Sequence, residues 1–226
     1  MRRTLRELSP VFVVGAGWHP YQAASETTYV ELGLTAVREA LADAGIAWAA
    51  VDSTYVGTAL LGMAPGRGML KHLGTNDKPL VHIENASASG SAAFRHACIE
   101  VASGMADVAL VVGVDKPQPR WHRANTGIQG LADDAIVPFT HFALLTDSYA
   151  RRHDVSAEDI ALVAVKNHRN GAANPNAQRQ QVLTLDEVLG GRPVSGSLTS
   201  LQCCPVGEGA AAVVVASETA IKRLAV

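Results

Sequence analysis

The sequence predicts an α/β layered fold, a mostly parallel sheet covered by helices, interrupted late in the chain by a helical insertion. Three observations carry this. Short β-branched, apolar runs alternate with helical-period segments over the first half of the 226 residues. The run VALVVGV, Val108 to Val114, is apolar throughout, as a strand buried on both faces must be. From residue 117 to about 195 the alternation gives way to helical patterns and polar loops, and a strand pattern returns only at Ala210 to Ala216.

Taken in order, Val11 to Val14 reads as the first strand, ended by Gly15-Ala16-Gly17. Tyr29 to Ala44 has helical spacing through Leu32, Ala36, Val37, Ala40 and Leu41, stopped by Gly45. Ser53 to Leu60 is a second strand, and a short helix is expected near Met69 to Leu73. Leu80 to Ile83 is a third strand and Ser91 to Ser103 its helix, with an apolar stripe of Ala93, Phe94, Ala97, Cys98, Val101 and Met105. Helices follow at Phe142 to Arg152, Ala157 to Asn167 and Leu185 to Leu189. Ser217 to Ile221 reads as an N-cap and the first turns of a helix close to the end of the chain, the pattern expected of a truncated chain or of a half that another polypeptide completes.

Composition excludes several classes. A net charge of -2, a pI near 6.4 and 5% aromatics argue against nucleic acid or an anionic membrane as partner. No apolar run approaches the roughly 18 residues of a membrane span, and MRRTLRELSP lacks the apolar core of a signal peptide. Three oddly placed cysteines, Cys98, Cys203 and Cys204, read as buried structural thiols in a cytoplasmic protein. No metal-ligand spacing occurs, so no metal is expected. VVGAGWHP holds two glycines of a dinucleotide fingerprint with Pro20 in the third place, and reads as a strand-terminating turn. The mixed charges of the insertion, among them Arg120, Arg123, Arg151, Asp133 and Asp147, read as a solvated surface.

The informative stretch is VHIENASASGSAAFRHA, Val81 to Ala97: a strand, a turn of small residues, then a helix. It places Ser87 at a helix N-terminus, in a positive field. His82 and His96 lie near it in sequence and read as structural histidines.

Three segments resemble the thiolase superfamily. ENASASGSAAFRHA looks like the nucleophile turn of thiolases, VKNHRNGAANPNAQ (Val165 to Gln178) is similar to a segment of the sterol-carrier-protein type, and LQCCPVGEGAAAVVVAS looks like the stretch leading into the last strand of the family's N-terminal half. In that last stretch Glu208 stands where the family usually has Asp. The resemblance implies a thiolase-like N-terminal half with a layered mixed sheet, its core in residues 1–116 and 196–226, and a helical loop domain inserted at 117–195 that shapes a coenzyme A tunnel. It also implies an acyl-CoA substrate, and assigns Ser87 to the position of the acyl-accepting cysteine and Asn85, Gly90, Asn167, His168 and Asn174 to substrate binding. A serine hydroxyl gains little from a helix N-terminus and needs an adjacent base to become a nucleophile. Cys98, eleven residues on and three turns down the helix, is a poor substitute. The family's second half supplies a histidine base and a second cysteine, so the chain is expected to be catalytically incomplete alone. The readings that follow are, in order, the half of an acyl-CoA acyltransferase, a cysteine-free retro-aldolase acting on β-hydroxyacyl-CoA with an OB-fold-type partner, and a non-catalytic subunit. All three expect a homo- or hetero-oligomer, with another thiolase-like chain or with that partner.

Overall fold

A computed structural model of the chain describes residues 7–74, 77–117 and 138–225. Arg120, Arg123, Asp133 and Asp134 lie outside them. The chain divides into two compact units, Met1–Pro119 with Gly207–Val226, and Arg120–Val206. Residues 196 to 206, expected with the core, fall in the second unit.

The first unit is a five-stranded mixed sheet. Its strands are β1 (Val11–Gln22), β2 (Ser53–Gly57), β3 (Leu80–Ile83), β4 (Val108–Asp115) and, late in the chain, β7 (Glu208–Ser217), in the order β1-β7-β4-β2-β3. β2 runs parallel to both β3 and β4, whereas β7 is antiparallel to its neighbours β4 and β1. Helix α1 (Tyr29–Asp43) covers one face and α3 (Ser89–Ala102) the other. Alternation along β4 divides the core accordingly. Val108, Leu110, Val112 and Val114 join Leu32, Ala36, Val37 and Ala40 of α1, while Ala109 and Val111 join Ala93, Ala97 and Val101 of α3. The stripe expected on α3 is therefore narrower than predicted: Phe94 is 37% exposed and Met105, beyond the helix, is 81% exposed.

The largest departure from expectation is β1. It does not stop at Gly15-Ala16-Gly17 but continues to Gln22. The two glycines are strand residues over which α1 lies against the backbone: a Cβ at Gly15 would stand 2.4 Å from the Ala40 carbonyl oxygen, and one at Gly17 2.4 Å from that of Ala36. They mark a close helix–sheet approach, not a turn. The free edge of β1 is also occupied. Asp43 and Glu39 of α1 accept the backbone N–H groups of Ala16 (2.9 Å) and Trp18 (3.0 Å), and Pro20 has none.

Other boundaries shift for local reasons. β2 ends at Gly57, because the Asp115 carboxylate accepts from the Thr58 hydroxyl and the Ala59 and Leu60 amides and holds them as a loop. Helix α2 (Pro65–Leu70) starts earlier than expected, with proline in its first turn, and a 3₁₀ turn continues it over Lys71–Leu73. The second unit holds α4 (Pro138–His153), α5 (Ala157–Ala172), α6 (Leu185–Leu189) and a hairpin that the sequence pattern did not reveal, β5 (Pro193–Ser195) with β6 (Leu198–Thr199). Capping boxes fix the starts of three helices: Thr28 with Glu31, Ser156 with Asp159, and Thr184 with Glu187. The helix begun at Ser217 is α7 (Glu218–Leu224). Cys204 is exposed, and Cys98 and Cys203 only half-buried, so the fully buried thiols expected are not found; the Cys203-Cys204 pair sits in the irregular segment between β6 and β7. No helix of the described residues is long and apolar enough to cross a membrane.

One buried ion pair ties three strand ends together. Glu208, fully buried at the start of β7, accepts from Lys116 Nζ (2.5 Å) beyond β4, from Ser25 Oγ (2.6 Å) and from Gln22 Nε2 (2.9 Å) at the end of β1. Burial pushes the Glu208 carboxyl up, but hydrogen bonds from Lys116, Ser25 and Gln22 together outweigh it and hold the pKa at about 2.

Gly17→Ala is expected to cost about 1–3 kcal/mol through overpacking, seen as a lower urea midpoint at unchanged slope. Because the folded pKa of Glu208 lies below its unfolded value, its contribution is complete above about pH 4.5 and is lost as pH falls toward 2. Lys116→Met, which strands the carboxylate, is expected to cost about 3–5 kcal/mol at neutral pH. A Glu208→Gln chain with an unchanged acid limb would refute the assignment.

Candidate active site

The site begins where β3 ends. Glu84 to Ala88 make the turn into α3, with Ala86 in the left-handed region at φ 45°, an uncommon conformation for a residue with a Cβ. Short hydrogen bonds hold it there. Glu84 Oε1 accepts from the Ala86 N–H (2.6 Å). The buried Ser89 hydroxyl accepts from the Asn85 N–H (2.8 Å) and donates to the Ala86 carbonyl (2.7 Å). The Asn85 carbonyl accepts from the Ala88 N–H at 2.9 Å. The first turn of α3 rests on the sheet through glycines: a Cβ at Gly57 of β2 would stand 2.7 Å from Ser89 backbone atoms, and one at Gly113 of β4 3.7 Å from the Gly90 Cα. Gly57 is required by that close backbone approach, whereas the contact at Gly113 is ordinary packing.

The result is an exposed Ser87, two residues before α3, at the positive end of a 14-residue helix. No side chain caps α3, so the Ser87 hydroxyl is not consumed as a cap. Gly90 is half-buried, and a Cβ there would meet nothing within 4 Å, so the space above the first turn is open. Asn85, Ser87 and Gly90 are thus brought together, with Asn85 serving through its backbone.

The neighbouring histidines have other tasks. His82 Nε2 accepts from the Gly66 N–H (3.0 Å), and burial, with the nearby Arg67 charge, lowers its pKa. His96 stacks on Tyr55, ring centroids 6.4 Å apart. The Tyr55 hydroxyl is pushed up to about 12 by burial and by Glu100, which also accepts from the Ser53 hydroxyl. Burial pushes the Cys98 thiol up, the wrong direction for a nucleophile. The clamp formed by Ser89 and Glu84 was missed by sequence reasoning; a serine beginning the helix two places after Ser87 was the available signal.

Asn167, His168 and Asn174 belong to the second unit. His168 on α5 is buried: its Nε2 donates to the Leu201 carbonyl (3.1 Å), which leaves Nδ1 an acceptor with no partner among the described residues. Asn167 is exposed. Asn174 Oδ1 accepts from the Asn176 N–H (3.0 Å), a local turn. Among the described residues no cluster of three or more histidine, cysteine or carboxylate side chains is arranged to hold a metal.

The sequence profile of the family described as "Thiolase, N-terminal domain" matches residues 11–219. The chain belongs to the thiolase family. It is 35% identical to sterol carrier protein 2 of Gallus gallus over 94% of this chain and 42% of that protein. It is 33% identical to the benzoylsuccinyl-CoA thiolase subunit BbsB of Thauera aromatica over 96% of this chain and 57% of that one. Among solved structures, an Ltp2-ChsH2(DUF35) aldolase matches with a TM-score of 0.75 at 22% identity, over 94% of this chain and 56% of that chain. The thiolase-family chain spans about half the length of the relatives it matches.

Ser89→Ala is expected to leave the Asn85 N–H without its acceptor and to cost about 1–3 kcal/mol. Hydrogen exchange at Asn85 and Ala88 reads the loosened turn directly; unchanged protection there would show that Ser89 is not the clamp.

Proposed function

We propose that this chain is the acyl-CoA-binding N-terminal half of an enzyme that cleaves a β-hydroxyacyl-CoA by a retro-aldol reaction, with no acyl group carried on residue 87. The observation that supports it is a serine on an otherwise complete nucleophile turn. A helix N-terminus makes thiolate available by lowering a thiol pKa from about 8.5. A hydroxyl starts too far above neutrality for the same field to ionise it. The field itself still has a use: partial positive charge and free N–H groups at the start of α3 suit the developing negative charge of a thioester enolate.

The reaction balances without a covalent step. A base takes the β-hydroxyl proton, the Cα–Cβ bond breaks as the new carbonyl forms, and the electron pair passes into the thioester enolate. Protonation at Cα then gives a shortened acyl-CoA, and a ketone or aldehyde leaves. The base is assigned to the other half of the thiolase fold, because His82 and His96 are both engaged. The similar aldolase structure is an Ltp2-ChsH2(DUF35) aldolase, and BbsB is a thiolase subunit, which supports a hetero-oligomeric assembly here.

Acyl transfer through residue 87 is the second reading, favoured by the clamped turn and by the thiolase name of BbsB. Intact mass and product analysis with a β-hydroxyacyl-CoA, on the chain with its partners, separates the two. Carbonyl release without an adduct, and a Ser87→Ala chain within about a hundredfold of the parent, are the expected results. An acyl adduct on Ser87, or a loss beyond about 10⁴-fold on Ser87→Ala, establishes the second reading. Neither product would leave a non-catalytic subunit.

A further inference from the structure

The first unit carries a cavity of about 240 Å³ at the end of the sheet opposite Ser87. It opens beside the paired starts of β2 and β3, where Thr54 faces Leu80, whereas Ser87 follows the far end of β3. Its lining includes Arg67, Lys71 and Lys78, and no carboxylate. Arg67 and Lys71 are four residues apart, on the last turns of α2 and its 3₁₀ extension, so they project together and repel. A helix C-terminus favours cations, which accounts for those two alone. It does not account for Lys78, which arrives from the separate segment leading into β3 and lines the same cavity. Among the described residues no carboxylate pairs with Arg67 or Lys71. On the opposite wall the Trp48 indole N–H donates to the Gly74 carbonyl (3.3 Å), and the ring packs against the core.

We propose that this cavity is an anion site that takes a phosphoryl group, with Arg67 and Lys71 as its principal ligands and Lys78 closing the third side. Arg67, Lys71 and Lys78 are exposed at the mouth of the cavity, where their side chains reach a ligand from solvent, and a guanidinium beside an ammonium group suits a multiply charged oxyanion. Burial and, after it, the charge of Arg67 lower the pKa of His82, which places the guanidinium close to the start of the neighbouring strand segment. The site is independent of the acyl-CoA reading and of Ser87.

Isothermal titration of inorganic pyrophosphate into the full chain, in the assembly in which it purifies, tests this. One site per chain is expected. Arg67→Gln and Lys71→Gln should each weaken it about tenfold or more, the loss of one charge-assisted hydrogen bond. Arg38→Gln, an equal loss of charge on the exposed side of α1, should leave it unchanged. Circular dichroism confirms that each variant folds, and Arg67→Lys should recover part of the affinity. No saturable binding, indifference to both cavity variants, or equal weakening by Arg38→Gln overturns the proposal. A second arm names the source: adenosine 3′,5′-bisphosphate that displaces pyrophosphate identifies a nucleotide phosphate, and failure to displace it identifies a smaller phosphate ester; the site stands in both cases.

Discussion

The contact on which the site depends is backbone against backbone. The first turn of α3 sits over the end of β2 at a distance that only glycine allows, at Gly57, and rests in ordinary contact on Gly113 of β4. That seat puts Ser89 under the turn, where its hydroxyl fastens Asn85 and Ala86, and so holds Ser87 outward at the helix end. On the opposite face Gly15 and Gly17 let α1 approach just as closely. The sheet is thin-skinned on both sides. A larger residue at Gly57 would stand α3 off the sheet and lose the geometry of the turn, and one at Gly15 or Gly17 would do the same to α1.

Much of this was legible in the sequence, and the failures are instructive. The solid apolar run of β4 and the helical period of α1 report burial, which is what periodicity measures, and both elements lie where expected. Gly15 and Gly17 misled because glycine as a turn former and glycine as a contact surface look alike in one dimension; only α1 lying across them distinguishes the two. Phe94 was counted with the α3 core because its spacing fits, yet it stands on the outer flank of the helix. The short β5–β6 hairpin was invisible, since strands of three and two residues carry no period. At the site, the positions of Asn85, Ser87 and Gly90 were readable from the small-residue turn. The Ser89 clamp was not, because it depends on a hydroxyl pointing back under its own helix.

Two polar devices do comparable structural work by different means. Asp115 gathers amide and hydroxyl donors and fixes the loop after β2 without a cation. Glu208 gathers a lysine, a serine and a glutamine, joining the end of β1 to the start of β7 and the segment beyond β4. The methylene that a glutamate has beyond an aspartate lengthens its reach toward partners drawn from two separate segments. Both carboxylates sit where strands end, so that the loops leaving the sheet depart in fixed directions while the apolar core between them needs no polar group.

The occupied rim of β1 has a consequence for how copies of this sheet can add to one another. Two carboxylates of α1 and one proline remove the donors of Ala16, Trp18 and position 20, so a foreign strand finds no continuous ladder there. β3 ends the sheet on the other side without such a guard among the described residues. A sheet guarded on one flank cannot propagate by strand addition, because each joining event uses the single open flank. Pairing of that kind is left to the β3 flank, since Glu39, Asp43 and Pro20 interrupt the ladder along β1.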